Sequence, residues 1–425
     1  MEQFVIHGGK PLKGEIDVRG AKNAAFPILA ATILTSKDCV IANVPLIEDV
    51  YRTLEILQGM GATVEWLGER KVKINTAVLD PTKIKKEIVS RFRGSVLLLG
   101  PLLARFGNVS LPKPGGDIIG ARPIDTHLDA FSQLGVKVLA SNGKVVLEKP
   151  KHLTGRNVIL NEFSVTATEN MLLFAALQPQ PITIKTADQD YPIQELTKAL
   201  QHMGVKITLV GPHAIAVRGK RELRGMNHTL MFDPIEAGTF LVLAAAARGE
   251  VTVKNVETRF LELFLKKLKE FGVPLRVVSE RNGVADIKVS PWRKIKIDRI
   301  QTFIYPGIHT DLQSPLGVLA TQAKGSTLLH DPLYPGRLKY LEELNKMGAE
   351  IYIADPHRAI INGPTKLFGN DLGTFDLRGG AALIIAALIA KGKSTISNIY
   401  QVDRGYEKIE ERLQKLGADI KRINV

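Results

Sequence analysis

Acids belong at the start of a helix, where the peptide dipoles leave partial positive charge. A cation there costs roughly 0.3–1 kcal/mol. This sequence places cations in that position repeatedly. Lys22-Asn23, Arg93 and Arg378 each open a run of small and aliphatic residues that must form a buried helix, and Arg404 stands at the expected start of the last helix. An anion bridging side chain and helix end would reverse the cost, because exposed backbone N–H groups bind phosphates and carboxylates. For Arg404 the neighbouring Asp403 could serve as the counter-charge instead. The equivalent positions elsewhere in the chain carry Thr166 to Thr168, Glu236 and Asp311, all of which are ordinary caps.

A second concentration of chemistry is the stretch 113–125, KPGGDIIGARPID. Gly115 and Gly116 free the backbone to swing, so Asp117 rides the tip, while Arg122 sits at the base before Pro123, a residue suited to a helix's first turn. A strand-like run precedes the loop and an amphipathic helix over 123–134 is expected to follow it.

The elements that must hold these residues recur six times. One signature is a helix end of the form Leu/Phe-x-x-apolar-Gly, with the glycine at 61, 135, 204, 272, 348 and 417, followed by a strand. Glycine is expected there as the left-handed residue that stops a helix. The other is a helix of small and aliphatic residues, as in FLVLAAAA from Phe240 and LIIAAL from Leu383, which feeds a β-rich run. A helix apolar on nearly all sides must be buried, whereas one with a single stripe lies on a layer and faces water. Six α/β units of about 70 residues therefore predict two globular halves of three units each, with the small-residue helices at each centre.

Composition narrows the function. The 425 residues are 45% hydrophobic and 24% charged, as in an ordinary soluble protein. A net charge of +14 favours anionic metabolites or acidic surfaces. With 6% aromatics and no long basic run, a nucleic-acid role is poorly supported. Cys39 is the sole cysteine, which excludes an intrachain disulfide and a cysteine-cluster metal site. There is no Gly-x-Gly-x-x-Gly, Walker loop or His-Glu-x-x-His, so neither a cofactor nor a metal is expected. No apolar signal core opens the chain and no aliphatic run is long enough to cross a bilayer, so the expectation is a cytoplasmic protein without membrane insertion.

Several segments taken together resemble a known family. RGAKNAA from Arg19, FRGS from Phe92, PGGDIIGARPID from Pro114 and SVTAT from Ser164 occur in order. IEAGT from Ile235, TDLQ from Thr310, DLR from Asp376 and VDRGYE from Val402 follow. The chain resembles the UDP-N-acetylglucosamine 1-carboxyvinyltransferases, enolpyruvyl transferases that open peptidoglycan synthesis, over essentially its whole length. The resemblance implies a two-lobed, inside-out α/β barrel with three repeats per lobe. Residues 22–231 would form the lobe bearing the loop, and 1–21 with 232–425 the other. It implies phosphoenolpyruvate and the UDP-sugar as substrates, no cofactor, and a monomer or weak homo-oligomer.

Carried across by position, the resemblance gives Lys22, Asn23, Arg122 and Arg404 to phosphoenolpyruvate. Arg93, Arg122, Pro123, Ile124, Asp125, Thr126, Ser164, Val165, Asp311 and Leu333 would line the UDP-sugar site. Asp311 would be the base at the sugar 3-hydroxyl and Asp117 the general acid, with Lys22 and Arg404 also catalytic. Arg337, Asp376 and Arg378 would support them. Asp117 stands where most members have cysteine, so the chain is expected to escape the epoxide antibiotic fosfomycin, which alkylates that thiol. Glu162 replaces a frequent Lys, and the segment 189–193 departs from the usual Glu-Pro-Glu; both bear on nucleotide recognition. The alternatives are a 5-enolpyruvylshikimate-3-phosphate synthase-like transferase, whose acceptor the Gly-Gly-Asp loop and Asp125 fit less well, and a basic nucleic-acid-binding repeat protein.

Overall fold

The computed structural model describes residues 2–116, 119–120, 122–141 and 143–424. All six stop glycines have the left-handed backbone expected of them, with φ from 84° at Gly135 to 104° at Gly61. The helices they end are Glu48–Gly59, Asp125–Gln133, Tyr191–His202, Glu262–Glu270, Tyr340–Lys346 and Ile409–Gln414, and each is followed directly by a strand. Only glycine takes that conformation without Cβ strain, which is why the residue recurs at the same place.

The small-residue helices are Lys22–Ala31, Leu99–Phe106, Val165–Ala175, Pro234–Ala246, Gln313–Ala320 and Leu377–Ile389. Pro234–Ala246 is buried at every residue, and Leu377–Ile389 at all but its last. Close packing explains the small side chains. A Cβ on Gly100 would stand 2.5 Å from the carbonyl oxygen of Asn170, and one on Gly317 would stand 2.0 Å from the Tyr340 hydroxyl. Leu99–Phe106 packs on Val165–Ala175, and Gln313–Ala320 packs on both Leu377–Ile389 and Pro234–Ala246.

Six sheets accompany the helices among the described residues. Five share one order, a parallel pair extended by two antiparallel strands. In one of them Asn157–Ile159 runs parallel to Ile182–Lys185, followed by Ala214–Arg218 and Lys206–Gly211. The sixth has three antiparallel strands, Asn108–Pro112, Lys144–Glu148 and Lys137–Ser141. One pairing is exchanged. Lys13–Asp17 precedes the first buried helix yet lies parallel to Glu250–Glu257, while Met226–Thr229 takes the place beside Cys39–Ala42.

The chain forms two compact units. The C-terminal unit comprises Met1–Arg19, Asp117–Ala121 and Phe232–Val425; the N-terminal unit comprises Gly20–Gly116 and Arg122–Met231. In the C-terminal unit, Glu2–His7 pairs with Lys393–Ser397 on one side and Asp419–Asn424 on the other.

One buried helix carries an acid at its middle. Glu169 is 1% exposed, and its Oε1 has no hydrogen-bond partner among the described residues. Burial, reinforced by Asp188 and Asp190, pushes this carboxyl well above its usual range. The unfolded chain loses this proton near the ordinary carboxyl pKa while the folded chain keeps it, so the group costs stability progressively as pH rises from there. Glu169→Gln is therefore expected to match wild-type stability near about pH 4 and to gain on it steadily toward about pH 8. Urea unfolding across that range checks the trend, and a constant difference would contradict it.

Candidate active site

In the N-terminal unit, Lys22 is the first residue of its helix, and the preceding Ala21 supplies no side-chain cap. Lys22 is only 8% exposed, and its ammonium lies 3.2 Å from Asp49 Oδ2 and over the Phe26 ring at 5.2 Å from its centroid. Asn23 beside it is half-buried. Arg93 opens the six-residue 3-10 helix Arg93–Leu98, which also lacks a side-chain cap. Its guanidinium donates to the Arg122 carbonyl at 2.6 Å and the Pro123 carbonyl at 2.9 Å, fixing the base of the loop. The glycines before it are needed for contact: a Cβ on Gly115 would stand 2.0 Å from the Ser90 carbonyl oxygen. Gly116 has φ 134°, and a Cβ there would stand 3.1 Å from Arg93 Cβ and 3.5 Å from Arg122 Nη1.

Beyond the loop the helix begins at Asp125, not at Pro123 as the sequence suggested. Pro123 and Ile124 stay outside it, because both Pro123 and Arg122 offer their carbonyls to Arg93 instead. Asp125 is exposed and Thr126 donates to Glu162 Oε1 at 3.1 Å, so the unusual acid is tied to the segment expected to meet the nucleotide. Ser164 caps Val165–Ala175 by accepting from the Ala167 N–H. His127, a residue the motif reading passed over, joins these segments: its Nε2 shares a 3.0 Å hydrogen bond with Thr166 Oγ1. The imidazole is 2% exposed, and burial, helped by the charge of Arg93, lowers its pKa to about 3.

In the C-terminal unit, Asp311 lies in the 3-10 turn Thr310–Leu312, capped by His309 Nδ1, which accepts from the Asp311 N–H at 3.0 Å. Its carboxylate is clasped by two guanidiniums, with Oδ1 3.0 Å from Arg337 Nη1 and Oδ2 3.0 Å from Arg378 Nε. Asp376 caps Leu377–Ile389 by accepting from the N–H groups of Arg378 and Gly379. Leu333 is set by Asp331, a fully buried acid whose Oδ1 accepts from the Leu333 N–H at 2.9 Å and whose Oδ2 accepts from the Thr310 hydroxyl. Ile119 and Gly120 belong to this unit: Gly336 N donates to the Ile119 carbonyl at 2.9 Å, next to Arg337. Asp117 lies outside the described residues.

Two sequence expectations change. Arg404 does not open the last helix; it follows the short helix Tyr400–Asp403, and its Nη1 donates to Gln401 Oε1 at 3.0 Å. Asp403 is not its counter-charge either, because Arg422 takes that carboxylate with two bonds of 2.7 and 2.9 Å. The helix-start cations also have acceptors from the protein itself: Asp49 for Lys22, two carbonyls for Arg93 and Asp311 for Arg378. Asp49 and Asp311 lie 27 and 67 residues from the cations they hold, a separation no local pattern signals.

Comparison with known proteins gives consistent results. The family described as EPSP synthase (3-phosphoshikimate 1-carboxyvinyltransferase) matches residues 6–413. A UDP-N-acetylglucosamine 1-carboxyvinyltransferase of Treponema denticola is 37% identical over 435 residues, covering 99% of each chain. One from Campylobacter fetus is 39% identical over 426 residues, covering 100% of each. Among solved structures, the enolpyruvyl transferase NikO from Streptomyces tendae superposes with a TM-score of 0.90 at 25% identity, covering 100% of this chain and 99% of that one. EPSP synthase from Acinetobacter baumannii has a TM-score of 0.76 at 20% identity over 100% of both, a likeness of fold.

The depressed pKa of His127 has a testable consequence. Its ring is expected to stay neutral down to about pH 4, so its NMR signals should remain flat from neutrality to that point. Because the unfolded chain takes up this proton from about pH 6.5 downward and the folded chain does not, stability attributable to His127 is lost over the same interval. A ring that titrates near pH 6.5 in the folded protein would contradict the burial described.

Proposed function

We propose that this chain, which belongs to the EPSP synthase family of carboxyvinyl transferases, transfers the enolpyruvyl group of phosphoenolpyruvate to the 3-hydroxyl of UDP-N-acetylglucosamine and releases phosphate, the committed opening step of peptidoglycan synthesis. The observation that carries the reading is full-length similarity at 37–40% identity to several proteins with that name. EPSP synthase, whose acceptor is a phosphorylated shikimate, is matched at 20% identity. The cytoplasm is the proposed compartment and a monomer or weak homo-oligomer the proposed state. No helix among the described residues is long and apolar enough to cross a membrane.

The reaction adds the sugar oxygen to C2 of the enolpyruvyl group while C3 takes a proton. Phosphate then leaves C2 as C3 gives up a proton, restoring the vinyl ether. Lys22, Asn23, Arg122 and Arg404 are the proposed phosphoenolpyruvate ligands, and their cations would stabilise the departing phosphate by preorganised electrostatics. Asp311 is the proposed base. Arg337 donates to its Oδ1 and Arg378 to its Oδ2, and the two guanidiniums fix the carboxylate's orientation. Arg93, Arg122 to Thr126, Ser164, Val165 and Leu333 are the proposed UDP-sugar contacts, with Asp376 acting through the helix it caps.

Asp117 is the proposed general acid, and its chemistry is demanding. A free aspartic acid has a pKa of about 3.9, and one-tenth protonation near neutrality requires roughly two units more, about 2.7 kcal/mol. Desolvation and a multiply charged anion beside it would raise the pKa, so protonation is assigned to the substrate-bound state.

Phosphate release from phosphoenolpyruvate is expected with UDP-N-acetylglucosamine and not with shikimate 3-phosphate; the reverse preference would replace this reading with the sister reaction. In the same assay Asp117→Asn is expected to lower kcat by about 10²-fold or more. Turnover equal to wild type would remove Asp117 from the role of proton donor.

A further inference from the structure

Asp331 makes more hydrogen bonds than a turn residue needs. The strand Gly325–His330 ends just before it, and His357 grips its backbone from both sides. The Asp331 N–H donates to the His357 carbonyl at 2.8 Å, and His357 Nδ1 donates to the Asp331 carbonyl at 2.7 Å. On the side chain, Oδ1 accepts from the N–H groups of Leu333 at 2.9 Å and Tyr334 at 3.4 Å, while Oδ2 accepts from the Thr310 hydroxyl. The bonds to Oδ1 are ordinary turn chemistry, which an asparagine would serve equally well. The bond to Oδ2 is not local, since Thr310 lies 21 residues away. A carboxylate can accept on both oxygens. This one is 0% exposed, and the cost of taking its charge out of water is offset by these three donors.

These bonds close a ring through the proposed base. Thr310 immediately precedes Asp311, whose Oδ1 accepts from Arg337 Nη1 at 3.0 Å. The Arg337 N–H donates to the Tyr334 carbonyl at 3.2 Å, and the Tyr334 N–H returns to Asp331 Oδ1. Leu333, a proposed contact of the sugar nucleotide, is held by the same oxygen. We infer that Asp331 is a positioning residue for the reaction: through Thr310 it sets the turn that carries Asp311, and through the Leu333 N–H it sets the sugar-nucleotide contact. The inference rests on the proposed roles of Asp311 and Leu333. The two oxygens have separable tasks, Oδ2 for the base and Oδ1 for the sugar contact. A residue that only stabilised the C-terminal unit would show no such division.

The test separates the two oxygens in phosphate-release kinetics. Thr310→Val removes the donor to Oδ2 and leaves the turn at Oδ1 in place. It is expected to lower kcat about tenfold or more, because a small displacement of a reacting group is costly, with KM for UDP-N-acetylglucosamine within about twofold of wild type. Thr310→Ser keeps the hydroxyl and is expected to restore kcat to within about threefold of wild type. Asp331→Ala removes both tasks; it is expected to lower kcat as far and also to raise KM for UDP-N-acetylglucosamine about tenfold, with KM for phosphoenolpyruvate within about twofold. If Asp331→Ala does not fold, the two Thr310 variants decide alone. Wild-type kcat in Thr310→Val overturns the inference, as does a loss of rate that Thr310→Ser shares. Lowered thermal stability with unchanged kcat and KM would mark Asp331 as merely structural. If the wild-type chain releases no phosphate with either acceptor, the functional reading falls and the inference with it. Wild-type turnover without the split between kcat and KM sinks the inference alone.

Discussion

A helix without a polar stripe can offer water only its two ends. Six such helices form the centres of the two units, and Pro234–Ala246 has no exposed residue along its length. Burial of this kind, at about 25 cal/mol per Å² of apolar surface, dominates the stability of each unit. It also confines polar chemistry to a few positions. Lys22, Arg93, Asp311 and Arg378 all stand within the first residues of a buried helix or of the 3-10 turn that leads into one. Packing, rather than any local preference for charge, determines where reactive groups can be displayed.

The same constraint explains why these charges are held so tightly. Taking an ion out of water is expensive unless a partner and further hydrogen bonds replace the lost solvent. Arg337 and Arg378 are nearly inaccessible and share Asp311 between them, while Glu236 and Arg412 form a two-bond pair that also fixes the Arg19 N–H. A carboxylate gripped from both sides has little freedom to turn. Orientation is therefore built in before any ligand arrives, and a group used to move a proton benefits from that preorganisation.

Much of this was legible in the chain. The stop glycines, the strands after them and the buried helices follow from local rules about backbone conformation and apolar periodicity, and the positive φ at all six glycines reflects that. Local rules failed where one residue's role is set by another far away in sequence. Nothing near Lys22 points to Asp49, and nothing near Asp403 points to Arg422, so the charges at helix starts read as vacancies for an anion when protein groups already stood beside them. His127 was overlooked because a buried imidazole leaves no pattern. Pro123 was assigned to the helix on propensity, but the pull of Arg93 on two carbonyls decided the backbone there.

The pairing of Glu2–His7 with Lys393–Ser397 and Asp419–Asn424 governs the order in which the polypeptide can be completed as it emerges from the ribosome. Glu2–His7 can be paired on both sides only after both Lys393–Ser397 and Asp419–Asn424 have been synthesised. Vectorial folding can assemble the intervening segments while translation proceeds, but Glu2–His7 must wait for both of these partners before its hydrogen-bond ladders can form. Its charged flank, with Glu2 and Lys10, suits a strand that spends that interval in solvent.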